Sequence, residues 1–580
     1  MNQQRNCSAT LQKTLFLAVC SLPAICALYM ICTHWVPVPF WDQWDTPGAQ
    51  LASYYRGTLT FAELCSQHNE HRVLFPRLIW LPMAIVTGWD VRREMVACGL
   101  VCLGCSFGIY KLLRRSLDGG GLLRSSNASP AGCALVFGMM NLLLFSPRQY
   151  ETFLVGAGHS FVPTFALVFA LLMNLSERSL PTKTIVNAAL AHIGTWSYGN
   201  GMLVWLLAFP LEIQLNAGLP ANRTRARIFW KVIYILVAAA SIASYFISYK
   251  HPPLSPPMVS PIGHWSAFLR FLLVWVGSLF SVSAPAICGG VLLLLFAGLA
   301  TAATCQMRQT GAWRSHYPWL LLGCYVVISG GIAAIARLGF SSSMAGDARY
   351  TAFSVFLYIA VLGLGFSVSA HAQNRATLAR AARPAAMVCL ALVLLLWAIT
   401  FKNERRRLRD WTQERKHSLL VVQWAEAIPR NPEIALLSPY AETPNVIHTL
   451  AEHDVFRPRL VSKNLARVVN ESPVRESASA GILEQATRDG AGHIIVRGWA
   501  RLPDQDRPAD CVVLGFEAAD VPWTPFSVLE TRSPANDRFL RIIDVRSLPR
   551  SEATLRAWAI DLQHERAFPM AGALQLPGQQ

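Results

Sequence analysis

Apolar stretches long enough to cross a bilayer recur from Thr14 to Phe401 and then stop. In lipid, every backbone N–H and C=O must find its partner within the protein, so repeated apolar runs read as a bundle of helices. The runs cover 14–32, 95–110, 131–145, 161–175, 184–195, 201–211, 230–248, 285–304, 317–336, 350–368 and 385–401. A crossing takes about 20 residues, and several runs need flanking residues to reach that length. The expected fold is a polytopic α-helical membrane protein of about 11 spans. Composition agrees: 53% of the residues are hydrophobic and 15% charged, against about 25% charged in soluble domains.

Basic loops set the sidedness. Lys111, Arg114, Arg115 and Arg124 fall between runs. So do Arg178 with Lys183, Arg223, Arg225, Arg227 and Lys231, Arg308 with Arg314, and Arg375, Arg380 and Arg383. The positive-inside rule places such loops in the cytoplasm. The same loops account for much of the net charge of +17, and no basic stripe interleaved with aromatics points to nucleic acid. The run 14–32 follows Arg5 and Lys13 and has no small-x-small cleavage site, so it reads as an uncleaved first span with the N-terminus inside. Two shorter segments, 73–87 with Pro76, Arg77 and Pro82, and 268–282 with Arg270, read as helices lying at the outer face. Leaving these out of the count puts the C-terminus outside. Arg405, Arg406, Arg407 and Arg409 then follow the last span against the rule.

The chain thus divides into a membrane domain, 1–401, whose first outer loop spans 34–94, and a soluble region, 402–580, large enough for its own core. Within the soluble region, 411–465 reads as mixed helix and strand. From Gly492 onward, short β-rich runs at 493–500, 511–517, 526–531, 538–545 and 554–560 alternate with turn residues. This α/β region is therefore expected to end in a small β-sandwich over about 490–575. A structural or docking role and a sugar- or acceptor-binding role both fit it. Most of the 14 cysteines sit inside apolar runs, where they act as small hydrophobes. Only Cys511 lies beyond Phe401, so the soluble region holds no internal disulfide, and no pair of CxxC motifs has zinc spacing.

Candidate chemistry concentrates in the first outer loop. It begins Val-Pro-Phe-Trp-Asp-Gln-Trp-Asp, with Asp42 and Asp45 beside Trp41 and Trp44. The two aspartates are spaced i, i+3, on one face if the segment is helical. Apolar rings that exclude water raise a carboxylate toward general-base range, although Trp also populates interfaces without function. The loop ends in Gln67-His68-Asn69-Glu70-His71-Arg72. His68, Glu70 and His71 are metal-ligand types without the i, i+4 spacing of a helical zinc site, so a divalent metal stays open and no cofactor is required. Arg72 suits an anion, and a plain solvated turn is the alternative. Other polar groups fall at run ends on the same side: Gln149, Glu151, His159, Tyr198, Asn200, Arg337, Asp347, Arg349 and Tyr350. Charges there are commonly anchors. Converging on one face, however, they would make a site, with Arg337 and Arg349 suited to a phosphate.

This layout resembles the GT-C superfamily of membrane glycosyltransferases, which use polyprenyl-phosphate-linked sugars. The resemblance covers 14–401 in layout and mainly 40–72 in motif. "PFWDQWD", "QHNEHR", "SYGNGMLVW" and "ARYTAFS" look like runs of bacterial members. The resemblance implies a catalytic carboxylate at Asp42 or Asp45 and a second acidic position at Glu70. Where some members carry His-Pro-Pro after that residue, this chain has His71-Arg72. It also implies a bacterial inner-membrane location with a periplasmic C-terminal domain. The donor would be a polyprenyl-phosphate-linked sugar, arabinofuranose among the candidates. The acceptor would be a periplasmic glycan, lipid or protein such as a pilin. No GxxxxGK[ST] phosphate loop calls for a nucleotide. Other classes consistent with the chain are a lipid-linked-sugar flippase, an envelope scaffold acting through its C-terminal domain, and an O-antigen-ligase-type enzyme. The last of these would carry its reactive loop late in the membrane region.

Overall fold

The computed structural model describes residues 20–576 except 118–129, 212–220, 254, 281, 372–374, 429–432, 463, 472–476, 489–492, 519–520, 532–536 and 545–551. Residues 14–19 of the first apolar run, Arg5, Lys13, Arg124, Gly492 and Val545 lie outside the described residues. The chain forms two compact units. One comprises Met1–Trp35, Phe61–Ile79 and Arg92–Arg409, and the other Val36–Thr60, Trp80–Val91 and Asp410–Gln580. The stretch 34–94, continuous in sequence, is therefore shared between them.

In the first unit the described residues include helices long and apolar enough to cross a membrane: Val91–Ser116, Thr224–Phe246, Pro285–Thr310, Trp313–Arg337 and Ala348–Ala370. A sixth, Met387–Gln423, runs from this unit into the other. These helices make a largely helical, membrane-embedded protein. Leu74–Thr87, Gly158–Asn174 and Trp265–Gly277 are apolar but shorter, and the described part of the first run, Cys20–His34, is apolar and helical. Leu180–Thr195 is also below span length. Six helices among the described residues thus have the length and composition to cross a membrane, against the about 11 spans expected from the sequence.

The run 201–211 shows why an apolar stretch need not be a span. It folds as a single tight turn, Gly199–Met202, then a five-residue helix, Leu203–Leu207, and then leaves helical geometry. The released backbone groups are satisfied from neighbouring helices. Asn187 Nδ2 donates to the Ala208 carbonyl at 2.9 Å and Asn174 Nδ2 to that of Phe209 at 2.9 Å. Lys183 Nζ donates to the Leu211 carbonyl at 3.1 Å. Irregular backbone among apolar helices survives only when buried and paired in this way. Lys183, expected in a solvated loop, is 1% exposed.

Small residues let other helices touch. A Cβ on Gly277 would lie 1.9 Å from the Pro285 carbonyl oxygen, and one on Gly289 1.9 Å from that of Leu273. Trp265–Gly277 and Pro285–Thr310 therefore meet backbone to backbone. Hydroxyls in the second helix, Thr301, Thr304 and Thr310, donate to carbonyls four residues back at 2.8 to 2.9 Å and so stay paired. Cys98, Cys102 and Cys105 are buried along one face of Val91–Leu117, as small hydrophobes.

The second unit holds the β-rich region. Strands His493–Leu502, Cys511–Ala518, Val521–Glu530, Arg538–Asp544 and Ala553–Asp561 coincide with the alternating sequence runs. Ser477–Arg488 and Arg566–Ala571 also join the sheet; they pair parallel to each other, whereas the other ladders are antiparallel. Ala480, Val496, Leu514, Phe539, Ala557 and Met570 are among the side chains of its core. Between 411 and 465 the described residues form helices and no strand: the end of Arg375–Gln423, then Ile434–Leu437 and Thr443–Glu452. First-loop residues pack in this unit as well. Trp44, 1% exposed, sits edge-on to Trp89 at 5.4 Å, and Trp89 stacks on Phe456 at 5.9 Å.

Candidate functional site

The site in the first unit starts from a hairpin. Gln67–His68 pairs antiparallel with His71–Arg72, which leaves Asn69 and Glu70 as a two-residue turn. Asn69 takes φ 48°, a left-handed value that asparagine tolerates better than most residues. Side chains clamp the turn on both flanks. Gln67 Nε2 donates to the Lys250 carbonyl at 2.6 Å, and Lys250 N–H returns a bond to Gln67 Oε1 at 3.0 Å. Arg72 donates to the carbonyls of Tyr245 at 2.6 Å, Cys65 at 2.7 Å and Ile247. Its guanidinium thus caps the end of Ala221–Phe246 and fixes the hairpin, a backbone role that its residue type did not reveal. The Tyr245 hydroxyl donates to the Glu70 carbonyl at 2.7 Å and the Tyr249 hydroxyl at 3.4 Å.

Held this way, the Glu70 carboxylate meets Arg337 at 2.5 Å through one oxygen and the Ser255 hydroxyl through the other. Arg337 ends the helix Trp313–Arg337. His71 turns the other way. Its Nδ1 accepts the Gly199 N–H at 3.3 Å, so Nε2 carries the proton. Its ring lies 3.8 Å from that of Tyr198, which in turn stacks on His159 at 5.7 Å and touches Phe353 at 5.0 Å. Burial, then the charges of Arg337, His159 and His68, push His71 well below the usual histidine range, leaving a neutral imidazole. Burial raises Tyr198, with Tyr350 adding to it while Arg337 and Arg349 oppose it. One phenol thus lies within electrostatic reach of both arginines.

Arg349 opens a second arm. It pairs with Asp347 at 3.2 Å, and its backbone N–H donates to Glu151 at 3.2 Å. Burial lifts Glu151 above the ordinary carboxylate range, against the pull of Arg349. Asn200 donates to Ser329 at 3.2 Å, and its Oδ1 is buried without a hydrogen-bond partner among the described residues, an acceptor available to a ligand donor. Gln149 is fully buried; its Nε2 donates to the Leu144 carbonyl at 2.5 Å, while its Oε1 has no hydrogen-bond partner among the described residues. Behind this arm, Arg148 donates to the carbonyls of Ser278 at 3.3 Å and Gly346 at 2.5 Å and pairs with the buried Glu404 at 3.1 Å.

The first unit therefore gathers Glu70, His71, His159, Tyr198, Asn200, Arg337, Arg349 and Tyr350, with Glu151 beside Arg349 and His68 across the hairpin from His71. Asp42, Asp45, Trp41 and Trp44 belong to the second unit. There the Tyr440 hydroxyl donates to Asp42 Oδ1 at 2.8 Å, and Asp45 accepts from Thr46 at 3.4 Å. Trp41 is half exposed, whereas Trp44 is a core residue. Among the described residues no group of three or more His, Cys, Asp or Glu side chains has the arrangement of a metal site. Glu70 and His71, though adjacent in sequence, point to different partners. Ser255, Tyr245, Tyr249, Arg148 and Tyr440 carried no signal in the sequence, since each acts on a residue far away along the chain.

No family model matches the chain, and no curated protein or solved structure does either.

Proposed function

We propose that this chain is a membrane glycosyltransferase that moves a sugar from a polyprenyl-phosphate donor to an envelope acceptor. In this reading it lies in a bacterial inner membrane, N-terminus in the cytoplasm and C-terminal region in the periplasm. Its shorter helices complete a GT-C-like bundle of about 11 crossings, and its strands close into a β-sandwich. The observation that carries the proposal is the meeting of Glu70 with Arg337, beside Tyr198, His71 and Arg349. This cluster sits at the far end of the helix that begins near Arg314, in one of the basic loops. Arg314 and Arg337 are separated by roughly 35 Å of helical rise.

The chemistry follows from the residue types. Arg337 and Arg349 hold the donor phosphate through charge-assisted hydrogen bonds. A first-loop carboxylate takes the proton of the acceptor hydroxyl, whose oxygen attacks the anomeric carbon. The bond from that carbon to the phosphate oxygen breaks, and the electron pair leaves with polyprenyl phosphate, its charge met by the arginines. Glu70 is the carboxylate adjacent to those arginines, and we assign it the proton. Neutral His71 offers Nε2–H to a sugar oxygen. Asp42 and Asp45, given the same role by resemblance, are tested separately. The sugar is a hexose or a pentose such as arabinofuranose, and the acceptor a glycan, lipid or protein. A second reading, transport of the lipid-linked sugar, draws on the interrupted segment 199–211, since broken helices with internally paired backbone recur in transporters.

The test compares envelope glycans and glycoproteins of a deletion strain complemented with wild type, Glu70→Gln, or an Asp42/Asp45 double Ala variant, each checked for membrane insertion. Loss of one sugar restored by wild type and not by Glu70→Gln supports transfer at the Glu70 site. Failure of the double variant alone would move the base to the second unit. Full restoration by both variants would abandon carboxylate catalysis in favour of transport.

A further inference from the structure

We propose that Glu70 is a resident counter-anion, occupying the Arg337 phosphate site until a phosphate ester displaces it and thereby frees Glu70 to act as base. This rests on the reading of Arg337 as a phosphate ligand. Three features of the geometry support it.

The ring of contacts is closed on itself. Glu70 Oε2 meets Arg337 Nη2, Oε1 accepts from Ser255, and Arg337 Nη1 reaches the same Ser255 hydroxyl at 3.5 Å. A carboxylate there presents two oxygens to a guanidinium and a hydroxyl, the donors a phosphate monoester or diester would use. The pair is also reachable, with side chains 22% and 14% exposed for Arg337 and Glu70. Finally, the backbone beneath Glu70 is fixed by Tyr245, Gln67 and Arg72, so displacement needs only side-chain rotation and no movement of the hairpin.

Arg349 repeats the pattern with Asp347. Each arginine of the cluster thus carries a resident carboxylate. Exchange of carboxylate for phosphate keeps each guanidinium paired throughout, which avoids leaving a partly buried charge uncompensated. Once displaced, Glu70 has lost its cation and lies beside a new anion. Its carboxylate oxygens, no longer engaged by Arg337, can then accept the proton of the acceptor hydroxyl with the donor in place.

Binding of farnesyl phosphate to the full-length protein in nanodiscs tests this, with inorganic phosphate and farnesol as parallel probes. Glu70→Gln removes the competing anion and should bind farnesyl phosphate about tenfold more tightly. Ser255→Ala, which removes a donor that the carboxylate and the phosphate share, should show no such gain. Arg337→Met should lose binding. Equal or weaker binding by Glu70→Gln, with Arg337 still required, would overturn the counter-anion role and leave the phosphate site standing. Wild-type affinity in Arg337→Met would remove the phosphate site and the inference with it. A parallel gain for inorganic phosphate identifies the free ion as a sufficient ligand. A gain confined to farnesyl phosphate identifies a lipid headgroup. Both support displacement.

Discussion

His71 is pinned between the Tyr198 ring and the field of Arg337, and that position fixes its protonation. An unfolded chain takes up this proton near pH 6.5, while burial and the guanidinium hold the folded group well below that. In the window beneath about pH 6.5 the unfolded state therefore binds more protons, so stability rises with pH and is lost as pH falls. His71→Gln should flatten the decline of melting temperature between about pH 6.5 and 5 for the purified protein in detergent. Parallel declines in wild type and variant would show that His71 protonates in place. At this scale the sequence shows residue types at run ends but not their pairings. Glu70 and Arg337 were both visible as candidates, yet nothing in the chain announces that they touch, 267 residues apart. Arg72 looked like an anion ligand by type, and only the carbonyls of Cys65, Tyr245 and Ile247 reveal its structural use.

Two glycines of one helix separate packing from propensity. A methyl on Gly289 would collide with the Leu273 carbonyl oxygen, whereas Gly298 has nothing within 4 Å of the same position. Gly289→Ala should therefore destabilise by about 1–3 kcal/mol through forced separation of the helix pair. Gly298→Ala should be neutral or stabilise by up to about 1 kcal/mol, since alanine costs less entropy in a helix. Thermal melts of the two variants decide it: equal shifts would mean that the Leu273 contact does not bind these helices together. Elements were legible where periodicity was strong. His493–Leu502 follows the alternation of more and less buried residues, whereas Ala557–Asp561 is buried on both faces. Run 201–211 was misleading because hydropathy registers apolar side chains and not the Asn174, Lys183 and Asn187 groups that allow its backbone to break. Within 411–465, Thr443–Glu452 buries Val446, Ile447, Leu450 and Ala451 at helical spacing, but it and Ile434–Leu437 are too short to give a long periodic signal, so the stretch read as mixed.

For the molecule as a whole, composition pointed to the bilayer but gave neither the number of full crossings nor the division of 34–94 between two units. That division depends on contacts such as Trp44 with Trp89 and Phe456, residues scattered along the chain. What the sequence does supply is polarity of direction. Arg115 and Arg314 lie at one end of the first unit, where Ser116 and Ser367 donate to the Ser315 carbonyl. Arg337 and Arg349 lie at the opposite ends of their helices. If the basic end faces the cytoplasm, the Glu70 cluster faces outward. The run from Lys402 to Arg409 then stands on the outer side, with Glu404 buried against Arg148 and Arg407 as its one deep counter-charge. Cysteine accessibility tests this orientation directly. With exposed Cys26, Cys32 and Cys305 replaced by serine, Ser343→Cys near Arg337 should react with a membrane-impermeant maleimide in intact cells whose outer membrane is opened. Gln309→Cys, at the basic end of Pro285–Thr310, should react only after lysis. The inverse pattern would turn the site toward the cytoplasm, where the acceptor would have to be a cytoplasmic or inner-leaflet molecule, and the periplasmic assignment would fall even if the transfer chemistry held.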